Sequence, residues 1–319
     1  MPTKWDGGGG PVLVISRAMC RKMRCFLTLS LTGLGWVAGG CHLPNFRGPV
    51  PAALATSRQL SQQAAASLDR GQQQEAETLL AKAVKTCPTD PDARRYYAEA
   101  LWLRDARVEA AGQLEQACRL TPDEPSLRVR LAEMYLAMGR VDPARQNAEL
   151  AVGLNPRLAG AWAVRGRVMR AGGDLRQALA DQHRALGYAP GDRQILLEVA
   201  GLYQQMHQPQ RALETLSSAA ETYAPGEESQ QVLYLMGTAY TALNRYDDAV
   251  ASLAAAATRD RPTAEILYRL AEAQWLSGRP GEAAQSSGQA LALDPRHQPS
   301  RELLTRIEIA QRTAAEPRR

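Results

Sequence analysis

The sequence predicts an all-α protein, a solenoid of seven stacked two-helix units closed at its carboxyl end by a capping helix. Three observations carry that prediction. Alanine recurs at a 34-residue interval at Ala76, Ala110, Ala144, Ala178 and Ala212, and again at Ala249 and Ala283; a second alanine stands seven positions after each, at Ala83, Ala117, Ala151, Ala185, Ala219, Ala256 and Ala290. Proline keeps the same 34-residue interval at Pro88, Pro122, Pro156 and Pro190. Phe26 and Phe46 are the only phenylalanines, so Leu and Ala must carry the packing, which suits helices better than sheets.

Each unit reads as two short amphipathic helices. Twelve positions before each first alanine stands a small residue (Ala64, Ala98, Ala132, Gly166, Ala200, Gly237, Ala271), which lets the paired helices approach closely. In the third unit Leu131, Ala132 and Tyr135 share one helical face. The closing proline stops the second helix from running on, and Asn155-Pro156 and Asp294-Pro295 mark breaks between units. One helix pair cannot bury its own apolar face, so the units must stack.

This pattern resembles the tetratricopeptide repeat family, which has the same period. The resemblance implies a right-handed α-solenoid with units at 57–90, 91–124, 125–158, 159–192, 193–229, 230–263 and 264–297. Its turn glycine stands at Gly71, Gly139, Gly173 and Gly278, and its first-helix aromatics at Tyr135, Trp162, Tyr203 and Tyr240. The closing proline returns at Pro295, while Pro225 and Pro262 fall one residue late and the fifth unit carries three extra residues near Pro225-Gly226-Glu227. Within 298–319, Leu303, Leu304, Ile307 and Ala310 recur at helical spacing with Arg and Glu between them, which describes a capping helix and tail.

The amino-terminal segment 1–40 reads differently. Arg21-Lys22-Met23-Arg24 precedes a fourteen-residue apolar run from Cys25 to Ala38, and Gly39-Gly40-Cys41 follows, the order of a secretory signal. Residues 1–18 precede that signal and read as a start-site extension, with Met19 or Met23 the better start. Small residues before a cysteine resemble a bacterial lipoprotein signal, although Ala38 stands where that family usually has leucine. The resemblance implies lipidation of Cys41, an anchor facing the periplasm and, with His42 rather than Asp next, the outer membrane. Residues 41–56, with Pro44, Pro49 and Pro51, form the expected tether. An uncleaved anchor is the competing reading of the apolar run, and a cytoplasmic scaffold follows if there is no export signal.

Charge and motif content narrow the function. The net charge of +5 is concentrated within residues 1–40, which hold five basic residues against Asp6 and leave 33 basic and 32 acidic residues beyond. No concentrated basic face remains for nucleic acid. His42, His183, His207 and His297 are far apart, with no HExxH or Cys/His cluster, so no metal or other cofactor is expected. There is no GxSxG, Walker loop or GxGxxG, and the repeats leave no span for a catalytic domain, so no enzyme is expected. Asp247-Asp248 fits a helix start, where the macrodipole favours acids. Cys87 and Cys118 read as buried free thiols, because a disulfide needs Cα atoms within about 7 Å.

A protein or peptide partner is therefore expected, held on the concave face lined by the first helix of each unit. In the family, contacts favour the second, fifth, ninth, twelfth and thirteenth residues of a unit. That resemblance implies Arg95, Glu99 and Trp102 in the second unit, Glu133 in the third, and Arg167 and Arg170 in the fourth. It implies Tyr234 in the sixth, and Tyr268, Glu272 and Trp275 in the seventh. Aromatics and arginines are common hot spots, but Trp102 and Trp275 fit packing between neighbouring first helices equally well. No unit pairs Lys at its fifth position with Asn at its ninth, so the family's carboxylate clamp for acidic chaperone tails is not expected. The expected role is a non-catalytic scaffold in envelope or secretion-complex assembly; self-association of exposed repeat faces is the structural alternative.

Overall fold

The computed structural model describes residues 51–315, with side chains to 313. The signal, Cys41 and the tether up to residue 50 lie outside the described residues. All regular structure within them is helical. The helices pair as α1 (Ala52–Asp69) with α2 (Gln73–Thr86), α3 (Pro91–Leu103) with α4 (Arg107–Leu120), α5 (Pro125–Ala137) with α6 (Val141–Leu154), and α7 (Ala159–Ala171) with α8 (Leu175–Tyr188). The series continues with α9 (Arg193–Gln205) and α10 (Pro209–Ala220), α11 (Gln230–Ala242) and α12 (Tyr246–Arg259), and α13 (Ala264–Leu276) and α14 (Pro280–Leu293), and ends at α15 (Gln298–Ala315). Because α1 starts at Ala52, five residues of the expected tether are helical.

The periodic alanines are the seam of the fold. All fourteen are fully buried, and the small residues twelve positions earlier are buried too. A methyl group there keeps paired helices close enough for Leu80, Leu114, Leu216 and Leu253 to fill the space between them, each at most 1% exposed. Buried leucine and alanine run from unit to unit in overlapping clusters, as stacking of incomplete units requires.

Turn chemistry explains why each pair folds back. The residue at the same point of all seven turns has positive φ: Gly71, Gly139, Gly173 and Gly278, and also Asp105 (66°), His207 (56°) and Asn244 (57°). Only the glycines are apparent as turn residues from the repeat pattern. Asp, Asn and His tolerate left-handed backbone better than other side chains and occupy the remaining turns. Side-chain caps fix several of the first-helix starts: Asp90 accepts from the backbone N–H of Asp92 and Ala93, and Asp192 from Gln194 and Ile195. Asp247 and Asp248 sit in the first turn of α12, as read from the sequence.

First helices also touch their counterparts in the next unit (α1 with α3, α5 with α7, α9 with α11, α11 with α13), whereas second helices make no comparable contact. The array therefore curves with the first helices inside. At the carboxyl end α15 covers α13 and α14, burying Leu303 and Ile307. Cys87 and Cys118 are buried free thiols; burial pushes the Cys118 thiol above its ordinary pKa.

Candidate functional site

The inner face is laced by polar contacts that step from one first helix to the next. Arg130 on α5 reaches back to Glu99 on α3 through two hydrogen bonds, Nε at 2.7 Å and Nη2 at 2.6 Å, and forward to Glu133 at 3.3 Å. Arg167 on α7 donates to Glu133 at 2.7 Å and faces Glu198 on α9 at 3.5 Å. Arg170 donates from Nε to Gln205 on α9 at 2.9 Å. Gln204 then donates to the Leu235 carbonyl at 2.9 Å and to the Thr238 hydroxyl at 2.8 Å on α11. On α13, Arg269 holds both Glu265 (2.8 Å) and Glu272 (3.0 Å), Tyr268 donates to Glu272 at 3.3 Å, and Tyr234 on α11 reaches Glu265 at 3.4 Å.

These pairs are half-buried rather than sealed from water, so each contributes only about 1 kcal/mol to stability. Their structural effect is to fix the lateral register of neighbouring first helices. Burial sets the local chemistry. It pushes the Glu198 carboxyl up against the opposing pull of Arg167, and it pushes Tyr234 and Tyr268 up, with the Glu265 and Glu272 charges adding to the effect. The bond to Glu99 holds Arg130 firmly charged.

The ladder stops short of filling the inner face. A recess of about 550 Å³ opens between α9, α11 and α13, lined by Gln204, His207, Tyr234, Thr238, Arg269 and Glu272 among others. Its wall offers hydroxyls, an amide and a charged pair beside an aromatic ring. That mixture can hydrogen-bond a peptide backbone while accommodating a side chain.

The residues predicted from the sequence fall into three groups, with Arg95 standing outside them. Glu99, Glu133 and Arg167 meet in the ladder, where each is already paired. Tyr234 and Glu272 line the recess; Arg170 does not, and bonds Gln205 on α9, the residue next to Gln204 of the recess wall. The tryptophans follow the packing reading: Trp102 lies half-buried on the core around Leu101, with the Arg107 and Arg130 guanidiniums 5.6 and 5.9 Å from its ring centre. Trp275 and Tyr268 pack with Leu303 and Ile307 of the cap, and Tyr268 lies 5.6 Å from the His297 ring. Arg95 is apart from the ladder, stacked over Tyr96 at 4.3 Å and 3.6 Å from Asp92.

Sequence positions alone missed Arg130, Glu198, Gln204, Glu265 and Arg269. A usable signal exists for part of the ladder: opposite charges separated by about one repeat, as in Glu99 with Arg130 and Glu133 with Arg167. Gln204 and Thr238 carry no charge pattern and become visible only when α9 and α11 are side by side.

Comparison with known proteins places this geometry. Family models described as tetratricopeptide repeat match residues 58–100 and 234–298. The fold is similar to a crystal structure of a tetratricopeptide repeat protein from Parabacteroides merdae, with a TM-score of 0.61 at 15% identity over 80% of this chain and 99% of that one. It is also similar to a chain of the APC/C hetero-tetramer Cut9–Hcn1, with a TM-score of 0.65 at 16% identity over 76% of this chain and 48% of that one. No curated protein matches the chain in sequence.

Proposed function

We propose that the chain, whose residues 58–100 and 234–298 match tetratricopeptide repeat models, is a non-catalytic scaffold that holds a segment of another protein along the inner face of its solenoid. Tetratricopeptide repeat proteins bind peptide or protein partners. The observation that carries the reading is the preformed recess between α9, α11 and α13, whose walls are already held by Gln204–Thr238 and Arg269–Glu272 contacts. A surface ordered in advance loses little freedom on binding, so a modest interface suffices.

We further assign the scaffold to the cell envelope, tethered through Cys41 and serving envelope or secretion-complex assembly. The basic cluster at 21–24, the apolar run at 25–38 and the small residues before Cys41 support that assignment.

Two experiments test the reading. A photo-crosslinking amino acid placed at Ala242, on the rim of the recess, is expected to capture a partner that the same group at Lys82 on α2 does not. Filling the recess by Thr241→Trp should abolish the adduct; equal capture from both positions would refute the groove. Metabolic labelling with a fatty acid should mark the wild type and not Cys41→Ser, and equal labelling of the two would remove the anchor.

A further inference from the structure

The inner face has one open cation and, across the recess, a carboxylate pair neutralised only in part. Arg170 uses only Nε, toward Gln205; its terminal nitrogens have no hydrogen-bond partner among the described residues. Glu198 is near enough to feel the Arg170 charge, but its oxygens are engaged by Arg167, Gln182 and Gln194. The guanidinium lies over Gly201, which has no side chain to cover it; an added Cβ would stand 3.8 Å from Nη1 and 3.9 Å from Nη2. At the far side of the recess the balance reverses. Glu265 and Glu272 share one guanidinium, that of Arg269; the His297 ring stands 3.4 Å from Glu265, the Tyr268 hydroxyl donates to Glu272, and Glu272 lines the recess.

We propose that this face selects an extended segment carrying a carboxylate for Arg170 and a basic side chain for Glu272. The inference rests on the groove reading above and adds the chemistry of the partner. The spacing follows from the helices between the two charges. From α9, against which Arg170 lies, to α13 is two steps of about 8–10 Å between packed helices. An extended chain advances about 3.3 Å per residue, so the two charges of the partner stand roughly five or six residues apart. Complementary charge at two fixed points sets the register and direction of the bound segment, while the Tyr234–Thr238 wall takes the residues between.

A phage-displayed library of random dodecapeptides, panned on the full chain, tests this directly. Wild type is expected to enrich Asp or Glu at one position and Lys or Arg about five positions away. Arg170→Glu should lose the acidic preference and select a base there, and should bind a wild-type-selected peptide about tenfold more weakly. Glu272→Gln should lose only the basic preference. Arg170→Gln, which removes the charge without reversing it, guards against misfolding and should lose the acidic preference with an unchanged circular dichroism spectrum. Enrichment with no charge pattern, or an acidic preference that survives Arg170→Glu, would overturn the inference and leave the groove standing. No enrichment by wild type over the bare support would remove both.

Discussion

Gly237 gives the sharpest test of how the units pack. Its position, twelve before Ala249, holds alanine in five of the seven units, so the repeat pattern by itself recommends Gly237→Ala. Helix propensity agrees, favouring alanine by about 1 kcal/mol in a helix interior. The structure reverses the sign. A Cβ on Gly237 would stand 2.9 Å from Leu253 Cδ2 and 3.1 Å from Cδ1, and closer still to Cγ. Leu253 is fully buried and has nowhere to retreat. Overpacking of this kind costs about 1–3 kcal/mol, which cancels or outweighs the propensity gain and leaves a net loss of up to about 2 kcal/mol. Ala98 with Leu114 and Ala200 with Leu216 place alanine and leucine at the same two positions elsewhere, all fully buried. The clash at Gly237 therefore arises from how closely α11 approaches α12, and not from the residue pair. Thermal unfolding followed by far-ultraviolet circular dichroism should show Gly237→Ala lowering Tm, by up to about 8 °C. Gly288→Ala in α14, where an added Cβ meets nothing within 4 Å, should instead raise Tm by about 2–4 °C. A stabilised Gly237→Ala would refute the close approach of α11 and α12.

Three further outcomes are expected. Asp181 is fully buried and receives Arg165 at 2.6 and 2.7 Å, so Asp181→Ala strands a guanidinium and should cost about 3–5 kcal/mol in chemical unfolding, with Asp181→Asn losing less. Tyr135 is pushed up to about 12, by burial first and then by its bond to Glu115. Its neutral form is favoured by folding, so the stability it contributes is complete below pH 10 and is lost as pH rises from 10 to about 12; absorbance titration should show several raised tyrosines, of which the latest disappears in Tyr135→Phe. In the turns, Asp105→Gly should stabilise by about 1 kcal/mol and Gly139→Ala should destabilise by a similar amount, because both residues have positive φ.

Much of the architecture was legible because a stacked repeat writes its packing into a period. Every alanine of the periodic pattern is buried, since each unit solves the same close-approach problem with the same residue. The capping helix was legible from the spacing of Leu303 and Ile307, whose burial closes the array. The turns were half legible. Glycine announces positive φ, whereas Asp105, His207 and Asn244 adopt it without announcing it, because their side chains serve many other local roles.

The inner face was legible as a set of positions and not as a set of free groups. Counting along each unit found Glu99, Glu133, Arg167 and Arg170, but could not show that the first three are paired while Arg170 keeps its terminal nitrogens open. The same counting could not separate Trp102 and Trp275, which pack against the core and the cap, from Tyr234, which lines a recess. The repeat, its two-helix unit and the residues that seal each pair could be read from the chain alone, because those contacts recur locally at fixed intervals. Which charges cancel, where the recess opens and where glycine is obligatory emerged only once the helices were side by side. These depend on the distance between helices of adjacent units, a quantity that no single unit encodes.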